Sequence, residues 1–150
     1  MKQKNYLVYY MHNYDYIIII ILFLISTENF PPNISADAVF RVTLGMESTY
    51  ILTVVDPGDN VTLSVRGGLP VNSVLEKIDE EEYIFIWTLM ELTNEPLVFV
   101  ANDSRGAAST FSPVVEVCAC VNGGTCTREG IITSNATITL KCMCTEGIYT

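Results

Sequence analysis

The sequence predicts an all-β protein, a two-sheet sandwich followed by a small disulfide-rich segment, and three observations carry that prediction. Between Asp37 and Val117 apolar residues recur with a period of two, and no stretch sustains the period of an amphipathic helix. Turn-forming residues interrupt these runs at intervals of roughly ten residues, as they do in sandwiches and barrels. All five cysteines of the 150-residue chain lie beyond Val117, in a stretch too short to be held by an apolar core alone.

Taken in order, Val39 to Leu44 alternates, and Thr49 to Val55 is rich in the β-branched side chains that fit a pleated surface. Asp56-Pro-Gly-Asp59 is a turn signal, and the strand before it is expected to pair as a hairpin with Val61 to Val65. Gly67-Gly-Leu-Pro70 breaks the pattern, and Asp79-Glu-Glu-Glu82 reads as a solvated turn. Tyr83 to Leu89 is the strongest core strand. The period of two puts Tyr83, Phe85, Trp87 and Leu89 on one face and Ile84, Ile86 and Thr88 on the other. Trp87 is expected at the centre of the core rather than as a platform for stacking sugars. Pro96 to Ala101 and Thr110 to Val117 complete a set of about seven strands, which suits two packed sheets. Without a cysteine pair crossing the sheets the sandwich is unlike an antibody domain. The expected fold is an Ig-like or cadherin-like β-sandwich over residues 37–117.

Residues 1–26 read as a signal peptide or signal anchor, and 27–36 as a linker. Tyr16 to Ile25 is an apolar run behind Lys2 and Lys4, the charged start and hydrophobic middle of a secretory leader. It is shorter than the roughly 20 apolar residues that span a bilayer. Ser26 to Phe30 offers no small-x-small cleavage site, and Ala36-Asp37-Ala38 lies far downstream, so cleavage, anchoring and a misjoined start all stay open.

Without residues 1–26 the chain keeps six basic and sixteen acidic side chains, a formal charge of −10. Such a field repels nucleic acid and anionic lipid, which leaves extracellular proteins or matrix as the expected partners. Membrane contact is expected only through the N-terminal segment or an anchor beyond Thr150. Four triplets, Asn33-Ile-Ser35, Asn60-Val-Thr62, Asn102-Asp-Ser104 and Asn135-Ala-Thr137, match the N-glycosylation acceptor. With a leader, they predict a secreted or cell-surface glycoprotein.

The run Cys118-Ala-Cys120-Val-Asn-Gly-Gly-Thr-Cys126, followed by Cys142-Met-Cys144, resembles an EGF-like module over 118–150, ending before its last cysteine. Asn122-Gly-Gly124 supplies a turn, and Ala136 to Leu140 alternates as one strand of the module's hairpin. The resemblance implies bridges joining Cys118 with Cys126 and Cys120 with Cys142, with the partner of Cys144 beyond the C-terminus. Two positions depart from the pattern: Ile148 stands where an aromatic residue is usual, and Thr150 where glycine is common. The residues by themselves admit another chemistry, since four thiolates satisfy tetrahedral zinc. Structural zinc sites, however, usually space their cysteine pairs by two to four residues.

Gly68-Leu-Pro70, Tyr83 to Leu89, Leu97 to Gly106 and Phe111 to Cys126 together resemble large mucin-like extracellular proteins, similar to membrane mucin-4 and to mucin-like proteins of invertebrates. Those proteins set an Ig-like or cadherin-like repeat directly before EGF-like modules. The resemblance implies a non-catalytic adhesion or structural module of a modular, glycosylated surface or matrix protein. An EGF-like receptor ligand is the alternative. It is less favoured because the chain has neither a sixth cysteine nor an arginine in its last loop.

Catalysis has little to stand on. His12 is the single histidine and lies in the leader, which removes histidine-based triads and histidine metal sites from the body of the chain. No catalytic residue, resident metal or cofactor is expected. Weak calcium binding is admitted by the acidic turns, but calcium wants six to eight converging oxygens. Glu116 alone, before Cys118, is inadequate; Asn102-Asp103 and Asp79 to Glu82 are the other candidates.

Overall fold

The fold was read from a computed structural model, which describes residues 29–120, 124–134 and 137–143. The leader run, Asn135 and Cys144 lie outside the described residues. No described helix is long and apolar enough to cross a membrane. The chain from Pro31 onward forms one compact unit of eleven strands among the described residues.

One sheet has the order β1-β3-β6-β5, from Asn33–Ala36, Glu47–Val55, Glu82–Thr88 and Ser73–Lys77. A second, β4-β7-β8, comes from Val61–Val65, Phe99–Asp103 and Ala108–Phe111. A third, β10-β11-β9-β2, comes from Thr125–Ser134, Thr137–Met143, Val114–Cys118 and Val39–Thr43. Strands β8 and β9 are successive parts of one run, interrupted at the buried Pro113. Proline brings no N–H to a ladder, so the run changes partner there, from β7 before it to β2 after it.

The core is what the alternation along the strands dictates. Tyr50, Leu52 and Val54 of β3 and Tyr83, Phe85 and Trp87 of β6 turn inward. They meet Phe40 and Val42 of β2, Val65 of β4, Phe99 and Ala101 of β7, and Val115 and Val117 of β9. Phe85 joins the layers, 5.3 Å edge-on from Phe99 and 6.0 Å from Phe40 between ring centroids. The polar tips of the large rings are paired: Trp87 Nε1–H donates to the Val71 carbonyl at 3.2 Å, and the Tyr83 hydroxyl to that of Val61 at 3.0 Å. The Tyr50 hydroxyl donates to the Asp37 carbonyl, and burial, with Asp37's charge, pushes its pKa up to about 12.

Four expectations change. The hairpin between the strands flanking Asp56–Asp59 does not form: β3 pairs with β1 and β6, whereas β4 pairs with β7 in another sheet. The turn itself is present, with Asp59 N–H donating to the Asp56 carbonyl at 3.3 Å and Gly58 at φ 96°. Turn chemistry fixes where the chain reverses, not which ladder it joins, and here it carries the chain across the sandwich. Residues 33–36, expected in the linker, form β1 on the edge of the first sheet. Ser73–Lys77, given no strand in the sequence between the break at Gly67–Pro70 and the Asp79–Glu82 turn, forms the edge strand β5.

The fourth change concerns the cysteine-rich segment, which is not separate from the sandwich. β11 lies parallel to β9, with Thr137 opposite Val115 and Leu140 opposite Cys118. The hairpin of β10 and β11 therefore extends a sandwich sheet, and Thr137 is buried in the process.

Candidate functional site

Four of the five cysteines converge where β9 ends. Cys118 closes β9, and Cys120 follows two residues later, just beyond the strand, with its sulfur within 4.8 Å of that of Cys118. Cys126 of β10 and Cys142 of β11 are opposite each other in the hairpin ladder. Cys118 is bonded to Cys126 and Cys120 to Cys142, with Cα separations of 5.7 and 5.3 Å. The two bridges are neighbours, the Sγ atoms of Cys120 and Cys126 lying 2.9 Å apart. Each bridge ties the hairpin to the sandwich strand rather than one hairpin strand to the other.

The opposite end of the sandwich is acidic. The turn after β3 and the turn after β7 meet there, because Val61 stands opposite Asp103 in the β4–β7 ladder. The Asp79–Glu82 turn joins them, since Glu82 pairs with Thr53 and Val54 N–H donates to the Glu81 carbonyl at 2.7 Å. Carboxylate oxygens of Asp56, Asp59 and Asp103 lie within 4.8 Å of one another. Asp103 uses Oδ1 to accept from the N–H groups of Arg105 at 2.9 Å and Ala107 at 2.8 Å, which shapes the turn between β7 and β8. Asp59 accepts from the Ser104 hydroxyl at 2.9 Å and from Arg105 Nε at 2.8 Å, and Arg105 Nη2 also bonds it.

These neighbours set the charges. Burial, then the nearby charges of Asp59 and Asp103, push the Asp56 carboxyl above its ordinary range, while Arg105 pulls it down. The hydrogen bond to Asp59 leads the causes that raise the Arg105 pKa. The guanidinium thus fills the place at Asp59 that a cation would take. Three carboxylates, one of them held by Arg105 and one by backbone N–H groups, fall short of a calcium shell of six to eight oxygens. Glu116, the other candidate, is 5 % exposed on β9 and pairs with Arg41 across the β2 ladder at 3.4 Å, away from the acidic turns.

Three of the sequon asparagines share the acidic end. Asn33 stands opposite Val55, Asn60 immediately precedes β4, and Asn102 stands opposite Thr62. Asn33 and Asn60 are exposed, and Asn102 is half-buried on the outward face of β7. At the other end, beside Gly67 to Asn72, lies an open groove of about 710 Å³ with Trp87, Leu89 and Leu97 in its wall and the exposed Leu69, Val71 and Met90 at its mouth. Trp87 is only 5 % exposed, which keeps its ring faces for the core.

The acidic cluster escaped sequence reading because its members come from turns far apart in the chain. The aspartates flanking Pro57-Gly58 signalled only a turn, and nothing local ties them to Asp103 or Arg105.

No family model matches the chain. Among solved structures it is similar to the SrpA adhesin of Streptococcus sanguinis in its R347E form, at 13 % identity and a TM-score of 0.49 over 62 % of this chain and 58 % of that one. It is similar to an endo-fucoidan hydrolase of glycoside hydrolase family 107, at 18 % identity and 0.49 over 63 % and 14 %. It is also similar to the human desmocollin-1 ectodomain, at 21 % identity and 0.44 over 65 % and 19 %. The chain thus spans less than two thirds of each of these proteins. All three likenesses fall below a TM-score of 0.5, and the Ig-like or cadherin-like sandwich rests on the strand order and register described above.

Proposed function

We propose that the chain is a non-catalytic extracellular adhesion or structural module, a covalently stapled β-sandwich that contacts other extracellular proteins or matrix. The observation that carries this reading is the pair of closed bridges binding the hairpin to β9, since such bonds form and persist in oxidising compartments. The acidic end adds to it. Glycans on Asn33, Asn60 and Asn102 would lie together there, beside carboxylates that keep the surface solvated, while Asn135 offers a fourth acceptor outside the described residues. The finer part of the proposal is membership of a mucin-like surface protein, supported by the cysteine spacing that resembles an EGF-like module.

Expression of the full chain with its own N-terminus in animal cells tests the reading. Expected is protein in the medium or on the cell surface that loses mass with a peptide-N-glycosidase, which hydrolyses the side-chain amide and leaves aspartate at the occupied asparagines. Alkylation before and after reduction is expected to count one free thiol and two bridges. Cytosolic retention with all five thiols alkylated without reduction would overturn it.

A further inference from the structure

Three of the four bonded cysteines occupy one small volume, and the fourth is attached to it through its bridge. The Sγ atoms of Cys118, Cys120 and Cys126 all lie within 4.8 Å of one another. The fourth, Cys142, is bonded to Cys120 and faces Cys126 across the ladder. A zinc ion with four Zn–S bonds of about 2.3 Å sets its sulfurs about 3.8 Å apart, so the three clustered sulfurs would move apart once the bridges open and Cys142 would turn in from its place beside Cys120. Cys-x-Cys spacing is no obstacle on a strand. Cys118 closes β9 and Cys120 lies just beyond it, and their sulfurs still fall within 4.8 Å of each other, so the two present a sulfur pair much as a Cys-x-x-Cys turn does.

We infer that the same four cysteines, once both bridges are reduced, form a closed tetrathiolate site for one d¹⁰ cation of the Zn²⁺ type. A phosphine gives each bridge two electrons and leaves as its oxide, taking its oxygen from one water whose two protons go to the sulfurs. The four thiols then release four protons to solvent as one Zn²⁺ binds, and the site carries a net charge of −2. The metal holds the β10–β11 hairpin to β9 in place of the bridges, so the segment keeps its staple in either redox state. The inference is independent of the extracellular role: that role concerns the oxidised chain, and this site exists only in the reduced one.

The test uses the full chain, reduced with a phosphine under anaerobic conditions and titrated with Co²⁺ as a spectroscopic probe. Expected are a thiolate-to-cobalt charge-transfer band and tetrahedral d–d bands that saturate at one Co²⁺ per chain, with displacement by one Zn²⁺. Native mass spectrometry should then show a single zinc adduct, and air-oxidised chain should take up none. Cys144→Ser should leave the spectrum intact, whereas Cys118→Ser and Cys126→Ser should each abolish its four-sulfur form. Absence of the bands at stoichiometric Co²⁺, their survival in both of those variants, or their loss in Cys144→Ser would overturn the inference.

Discussion

Cys126 and Cys142 face each other across the β10–β11 ladder, yet Cys126 is bonded to Cys118 at the end of β9 and Cys142 to Cys120 just beyond it. The hairpin is therefore tied outward to the sandwich. The two bridges close loops of different length, with sequence separations of 8 and 22 residues. Chain entropy gives them about 2.5 and about 3.4 kcal/mol respectively. Replacing Cys120 and Cys142 together by Ala should thus cost more than replacing Cys118 and Cys126, by about 1 kcal/mol. Urea unfolding followed by the fluorescence of Trp87 measures both; the reverse order would contradict the assignment.

Phe85 connects the first sheet to both Phe40 and Phe99 and is fully buried. Its truncation to Ala should destabilise the sandwich by about 3–5 kcal/mol through lost transfer energy and an unfilled cavity. Val71, 83 % exposed at the groove mouth, should tolerate Ala within about 0.5 kcal/mol. Thermal unfolding of the pair checks the contrast, and similar shifts for both would displace Phe85 from the centre of the core.

β11 lies between β10 and β9, so its N–H groups face a neighbouring strand on either side. Thr139 stands opposite both Ile132 and Val117. Thr139→Pro should cost about 3 kcal/mol or more by removing a ladder donor and crowding the backbone. Faster hydrogen exchange in β9 as well as β11 is expected. Acceleration limited to β10 and β11 would show that the hairpin does not support the sandwich.

The raised pKa of Asp56 sets a direction for pH dependence. A carboxyl that holds its proton more tightly folded than unfolded favours folding at low pH. That contribution is lost as pH rises from the unfolded value of 3.8 through the raised folded one. Asp56→Asn removes the repulsion from Asp59 and Asp103, so the variant should be more stable than the parent at neutral pH and nearly equal to it below pH 3.8. Melting curves across that range check it; a variant less stable at neutral pH would reverse the sign.

Local signals explain what was legible in the sequence. Alternation placed β2 and β6 and put Tyr83, Phe85, Trp87 and Leu89 on one face, and β-branched composition placed β3, because both signals are properties of one strand alone. Pairing is not local. The turn at Asp56–Asp59 was readable, but its two strands find their partners elsewhere in the chain rather than in each other, Tyr50 with Phe85 and Leu63 with Ala101. β5 hid because an edge strand buries little, leaving Val74 exposed and Leu75 half-buried. The cysteine pairs were implied by spacing through a resemblance, whereas the docking of β11 on β9 depends on backbone pairing that spacing does not encode.

The parallel ladder of β2 and β9 has a mechanical consequence. Five residue pairs, from Val39 with Val114 to Thr43 with Cys118, join a strand near the start of the sandwich to one near its end. Tension applied to the two ends of the chain pulls these strands in opposite directions along their length, which loads all five pairs in shear instead of peeling them singly. Force entering at Met143 reaches Cys120 through the neighbouring bridge from Cys142, so the β10–β11 hairpin is bypassed and left unstretched.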